Sequence, residues 1–284
     1  MSARPARAGR EPAWIALAPK RALASRWQIG DTRTVKFCDL GRWLRVGVVA
    51  LVILVQPLVV SADSPERAGT HWRLATSRGP VHVWIPAGYD RDTALTVVFV
   101  HGYNTDVDTA WTDYHLQDQF ARSGLNAMFI ACSAPAALNR PVMWPSLSAL
   151  LGGVATGIDQ PLPKGEVVAV GHSGAYRTLV LWLSNTVLHT LVLLDAAYGE
   201  EDQFMAWTRA DNHHRLINVA SDTIHESNWI HAFLPGTKRV DGLPTEWADD
   251  TRSARVIYVR TDVGHMPMIT DGVALPLALR ALAK

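Results

Sequence analysis

The sequence predicts an α/β fold built on a mostly parallel, doubly wound sheet with helices on both faces. Three observations carry that expectation. Six apolar runs of strand length recur along the chain: Leu95–Val100, Ala127–Ala131, Val167–Val170, Thr190–Leu194, Leu216–Ala220 and Arg255–Val259. A strand apolar at nearly every position is buried on both sides, as in a parallel sheet covered by helices. Helix-like stretches separate the runs: Trp111–Ser123, Ser146–Thr156, Ala175–Thr186, Gln203–Ala210 and Val273–Ala283. Alternation of this kind over short connections specifies a doubly wound sheet. The third observation is the turn Gly171-His172-Ser173-Gly174-Ala175, which closes one run and opens a helix.

Ahead of the first parallel strand, His71–Ala75 and Val81–Ile85 read as a hairpin turned by Ser77-Arg78-Gly79-Pro80. Residues 63–284 have the size of one domain, with no internal repeat, low-complexity tract or linker. The segment 1–62 stands apart. The whole chain of 284 residues carries 27 Lys/Arg and 26 Asp/Glu, a net charge of +1. Ten of those bases and three of those acids lie in residues 1–62, so the head is about +7 and the remainder about −6. A mildly acidic body argues against nucleic acid as a partner, because phosphate binding needs clustered cations.

The basic head has a targeting pattern. Val46–Val60 is an apolar run of 15 residues interrupted by Gln56 and Pro57, with Arg42 and Arg45 before it and Val60-Ser61-Ala62 after it. A basic flank, a short apolar run and small residues at a cleavage site describe a secretory signal peptide. The run is short of the roughly 20 residues that a spanning helix needs. Export to the periplasm or medium is therefore expected, with an uncleaved inner-membrane anchor at 46–60 as the alternative. In that case those residues would be the sole membrane contact. The roughly 45 residues before the run are long for such a signal. Cys38 lies in the head and Cys132 in the body, so the mature chain would hold no internal disulfide. No cysteine closely follows the apolar run, so no lipoprotein anchor is expected.

The turn at 171–175 carries chemistry. A sharp strand-to-helix turn admits only small residues at its ends, and its strain lifts the serine oxygen toward a substrate. The helix start behind it favours developing negative charge. Ser173 is the candidate nucleophile. His101-Gly102-Tyr103 ends the run Leu95–Val100 and brings a backbone N–H beside that serine. The N–H groups of Tyr103 and Gly174 are the candidate oxyanion hole. The His101 side chain is expected to brace the loop without reacting. His172, between Gly171 and Ser173, is expected to point away from the pocket. Of the 11 histidines, His265 alone is both late in the chain and directly after a strand, which makes it the candidate base. The acid is open between Asp195, which ends Thr190–Leu194, and Asp222, which follows Leu216–Ala220. Asp195 is preferred because its run is the stronger apolar one, and Asp262 is a weaker third.

The segments FVHGY, GHSGA and VGH, in that order, resemble the α/β-hydrolase superfamily across residues 70–284. The chain order Ser…Asp…His matches that resemblance. HSGAYR and LLDAAYG are similar to segments of bacterial exported hydrolases of unassigned substrate. The resemblance implies a serine hydrolase that cleaves an ester or amide through an acyl-enzyme, on an α/β-hydrolase sheet with little or no cap domain. Little cap suits accessible substrates, either small molecules or cell-envelope esters and amides. The alternative is a non-catalytic envelope protein that binds through the same pocket.

No cofactor or metal is expected. Asn104–Asp108 is like the start of a calcium loop but lacks its glycine and terminal glutamate, with Thr109 and His115 at those positions. Asp211, His213 and His214 have poor ligand spacing for a metal. Of the 11 tryptophans, Trp111, Trp144, Trp207, Trp229 and Trp247 fall near strand ends or helices, and most are expected in the core.

Overall fold

The computed structural model describes residues 68–283, all within one compact unit. The head, the apolar run at 46–60, the expected cleavage site and Cys38 lie outside the described residues. Among the described residues, no helix is long and apolar enough to cross a membrane.

Nine strands form one sheet. In chain order they are β1 (Gly69–Leu74), β2 (Val81–Pro86), β3 (Leu95–Val100), β4 (Ala127–Cys132), β5 (Val167–His172), β6 (Leu188–Leu194), β7 (Arg215–Ala220), β8 (Lys238–Asp241) and β9 (Val256–Arg260). Their spatial order is β1-β2-β4-β3-β5-β6-β7-β9-β8. β1 and β2 pair antiparallel, as does β2 with β4, and every other pair is parallel.

The continuous apolar runs have a direct physical cause. Successive side chains on a strand face opposite sides, and both sides are covered. In β3, Val98 and Val100 enter one core while Val97 and Phe99 enter the other. In β6, Leu191 and Leu193 part from Val192 and Leu194 in the same way. One face is covered by α3 (Leu147–Gly157), α4 (Tyr176–Trp182), α5 (Glu201–Ala210) and α6 (Ile224–Ala232). The other is covered by α1 (Val107–Asp113), α2 (Leu116–Ala121), α8 (Pro267–Thr270) and α9 (Ala274–Arg280). The remaining helix, α7 (Asp249–Arg252), has no buried residue.

The strand order sets the place of the site. From β3 the chain moves outward to β4 and then returns to β5 on the far side of β3. That reversal leaves a crevice above the carboxyl ends of β3 and β5, where the loops carrying His101 and Ser173 leave side by side.

Two elements differ from the sequence expectation. The helix expected over Trp111–Ser123 is two helices, because His115 takes a left-handed conformation, φ 51°. Gln119, buried, donates from Nε2 to Tyr114 O and to Ile269 O, both at 2.6 Å, so carbonyls on both sides are satisfied. The edge strand β8 escaped notice because it is short and its residues, Lys-Arg-Val-Asp, are mostly exposed. As expected, the stretch between β7 and β9 holds no separate cap domain, only α6, β8 and α7.

Candidate active site

Ser173 sits directly after β5, in a single 3₁₀ turn, Ser173–Ala175, that leads into α4. Its φ is +55°, a conformation that a side chain with a Cβ adopts only against a cost of roughly 1–2 kcal/mol. The small end positions of the turn pack on each other. A Cβ added at Gly171 would lie 2.8 Å from Ala175 Cβ and 2.6 Å from Leu179 Cδ1. That contact is why the pattern demands small residues at its two ends.

The loop after β3 approaches the turn just as closely. A Cβ at Gly102 would lie 2.7 Å from Ser173 Cβ. His101 holds this loop. Its Nδ1–H donates to Gly102 O at 2.7 Å, and its Nε2 accepts from Ala134 N at 2.9 Å. Burial keeps this imidazole below its ordinary pKa, and its partners require the neutral form. The next residues continue the bracing, with Asn104 N donating to Ala136 O at 2.8 Å. The Tyr103 ring lies over Gly174, so the two backbone segments proposed for an oxyanion hole are adjacent.

His265 follows β9 through a loop in which Gly264 takes φ +57°. Its Nε2 lies 2.8 Å from Ser173 Oγ and its Nδ1 lies 2.7 Å from Asp195 Oδ2. Asp195 follows β6, is fully buried, and has φ +48°. Its carboxylate accepts from Ser221 N at 2.9 Å, from Thr223 N at 2.9 Å, from Thr223 Oγ1 at 2.8 Å and from Asp222 N at 3.3 Å. Burial pushes the Asp195 carboxyl up, but the bonds from His265, Ser221 and Thr223 outweigh it and hold it at about 2. Asp195 is therefore an ionised, hydrogen-bonded carboxylate, and that fixes the tautomer: Nδ1 carries the hydrogen, and Nε2 faces the Ser173 hydroxyl as an acceptor.

Of the two aspartates left open by the sequence, Asp195 is the one bonded to His265. Asp222 is exposed and contributes its backbone N–H to Asp195. Its carboxylate is nevertheless close. Asp195, Asp222 and His265 offer potential metal-ligand atoms within 4.8 Å of one another. Both His265 nitrogens are already engaged by Ser173 and Asp195, so the Asp222 carboxylate is a neighbouring charge beside the hydrogen-bonded chain. Asp262 is exposed.

Two contacts to His265 were not anticipated. His172 does not point away. It is buried, stacks on the His265 ring at 4.7 Å and 29°, and its Nε2–H donates to His265 O at 3.1 Å. Burial and then the nearby His265 pull its pKa down to about 4. Tyr198 Oη lies 3.1 Å from His265 Nδ1, with the two rings edge-on at 78° and 5.7 Å. The one sequence signal for Tyr198 was its place three residues after Asp195 in LLDAAYG.

The segments with metal-like spacing have other partners. Asp106 caps α1 by accepting from Thr109 N at 2.9 Å, and Asp108 pairs with Arg73 and His82. Asp211 accepts from His213 N at 2.8 Å, and the His214 ring stacks on Trp207. Trp111, Trp144 and Trp207 are core residues, Trp247 is half-buried, and Trp229 is 54% exposed.

No protein-family model and no curated protein matches the chain. Solved structures do. A serine-to-alanine mutant of the feruloyl esterase module from Clostridium thermocellum, complexed with sinapinate, matches with a TM-score of 0.53 at 13% identity. The match covers 78% of this chain and 93% of that one. A structure described as FAE matches with a TM-score of 0.53 at 14% identity and the same coverage. At such identities the likeness is one of fold.

Proposed function

We propose that this chain, which has the α/β-hydrolase fold, is a serine hydrolase that cleaves esters or amides through an acyl-enzyme. The observation that carries this reading is the unbroken hydrogen-bonded chain from Ser173 Oγ through His265 to Asp195, at 2.8 and 2.7 Å, with the serine on a turn of positive φ. In the reaction, Ser173 Oγ attacks the carbonyl carbon while His265 Nε2 takes its proton. Asp195 holds the imidazole tautomer and stabilises the imidazolium. The N–H groups of Tyr103 and Gly174 receive the oxyanion. The tetrahedral adduct collapses, His265 gives its proton to the leaving oxygen or nitrogen, and the acyl group stays on Ser173. Water, deprotonated by His265, then attacks the acyl-enzyme, and the acid leaves as Ser173 regains its proton.

The substrate we propose is an accessible ester or amide, as a small molecule or in the cell envelope. The support is the lack of a cap domain between β7 and β9. The basic flank and apolar run at 46–60 support export, with a mature N-terminus near Asp63. Mass analysis of the exported protein tests that part, and intact Met1 on cytoplasmic protein sinks it.

Labelling with a fluorophosphonate probe tests the chemistry. The wild type is expected to label and Ser173→Ala is not. A panel of acyl esters of different chain length, with a hydroxycinnamoyl ester and a peptidoglycan digest beside it, ranks the substrates. Folded wild-type protein that resists the probe and turns over none of them points to a binding protein on the same fold.

A further inference from the structure

We propose that Tyr198 is a positioning residue for His265: its phenol oxygen shares the Nδ1–H that His265 donates to Asp195, and with His172 it fixes the imidazole plane for proton transfer at Ser173. The proposal rests on the serine-hydrolase reading above and adds a residue to it.

The geometry points to one nitrogen with two acceptors. Asp195 Oδ2 lies 2.7 Å from Nδ1 and Tyr198 Oη lies 3.1 Å from it. Because Asp195 is ionised, Nδ1 bears the hydrogen, so Tyr198 Oη is an acceptor. The short and long pair describes a shared hydrogen, with the carboxylate as the major partner. The two acceptors are tied together in the chain. Only Ala196 and Ala197 separate them, and both are fully buried. The segment that sets Asp195 therefore sets Tyr198 as well.

The ring is held from two directions. His172 stacks on its face at 4.7 Å, and Tyr198 meets it edge-on at 78°. Rotation of the ring about the Nδ1–Oδ2 line is opposed by the His172 face and the Tyr198 edge, while the second acceptor holds Nδ1 itself in place. Precise placement matters, since small displacements of a reacting group are expensive in rate.

The choice of a phenol is also meaningful. The groups around His265 are Asp195 after β6, Ser173 and His172 at the end of β5, Asp222 after β7, and Tyr198 itself. Glu226, on α6, also acts on Tyr198. Burial, then Asp195, Asp222 and Glu226, hold the Tyr198 hydroxyl far above its ordinary value. It stays neutral, and so offers a lone pair without another negative charge. Its bond strengthens when His265 becomes imidazolium, because hydrogen bonds from charged donors are stronger.

Tyr198→Phe keeps the edge contact and deletes the oxygen. We expect kcat on a short ester to fall about 10-fold with KM unchanged, the size of one weak bond to a charged donor. We also expect the acid limb of the kcat/KM profile to move to lower pH, since an acceptor for the protonated base is gone. The downfield Nδ1–H proton resonance of His265 is expected to move. Wild-type kcat together with an unmoved resonance overturns the proposal, because a purely packing role predicts both. If Tyr198→Phe does not fold, 3-fluorotyrosine placed at 198 weakens the oxygen as an acceptor and keeps the ring. The resonance is again expected to move, and an unmoved one overturns the proposal. The resonance needs no turnover, so it judges Tyr198 separately from fluorophosphonate labelling, whose failure in the wild type sinks the serine-hydrolase reading instead.

Discussion

Asp195 concentrates more interactions than any other side chain near Ser173. Four hydrogen bonds from the 221–223 segment and one from His265 converge on a carboxylate with no exposure. Replacing it by Asn keeps the shape but removes the charge that selects the imidazole tautomer. Turnover of an ester substrate by Asp195→Asn is expected to fall on the order of 10⁴-fold, while Asp222→Asn, which leaves its backbone N–H in place, is expected to fall less than about 10-fold. Rates for both, with circular dichroism to confirm folding, check this. A crippled Asp222→Asn beside a working Asp195→Asn would put the acid on the other strand. At this scale the sequence was legible where the signal is local. Ser173 sits in a five-residue pattern, and His265 directly follows a strand. The choice between Asp195 and Asp222 was legible only as a lean to Asp195 from its stronger apolar run, since both leave strand ends on the same rim. It turns on backbone detail, namely the φ of +48° at Asp195 and the N–H groups of Ser221 and Thr223 aimed at it. Tyr198 was not legible, because no local pattern marks its contact with His265, 67 positions away.

Among the elements, the parallel strands were legible because burial on both faces removes polar residues from the pattern, as in β4, buried along its whole length. β8 was not, because an edge strand faces solvent and carries no such pattern. The break at His115 has no glycine or proline to announce it, and the residue that accommodates it, Gln119, lies four positions on. The loop after β3 is the element on which catalysis is expected to lean most. Gly102 presses against Ser173, and His101 ties the loop to Ala134. If this loop supplies the oxyanion donor through the Tyr103 N–H, Tyr103→Pro removes that donor and is expected to lose at least ~100-fold in kcat. Tyr103→Phe, with the N–H intact, is expected to retain most activity. Equal losses in the two variants would assign the role to the phenol instead of the backbone. A thermal melt of each separates loss of the donor from loss of the fold.

For the whole molecule, buried His172 and half-buried His231, both held below their ordinary pKa, make the fold sensitive to acid. His172 is held at about 4, by burial first and then by His265, against an ordinary value of 6.5. Burial alone holds His231 at about 3. Asn218 Nδ2 donates to His231 Nε2 at 3.1 Å, a bond that an imidazolium cannot accept. In the unfolded chain both residues take a proton as pH falls through about 6.5. In the folded chain they resist until about 4 and about 3. Between those limits the unfolded state binds more protons, so stability falls as pH falls. The contribution is fully present above 6.5 and is lost by about 4 for His172, a change on the order of 3 kcal/mol. Asp195 acts lower. Its folded value of about 2 lies below the ordinary 3.8, so its contribution is present above about 4 and disappears as pH falls through about 2. Histidines therefore govern the first loss and the carboxylate the last. The expected result is a Tm that is level from pH 8 to about 6.5 and then declines steadily toward pH 4. His231→Gln, whose side-chain oxygen can still accept from Asn218, is expected to show a shallower decline over the same range. A Tm that stays flat between pH 6.5 and 4.5 in the wild type would mean that these imidazoles, at the ends of β5 and α6, titrate in the folded chain as they do in water, and would overturn this account.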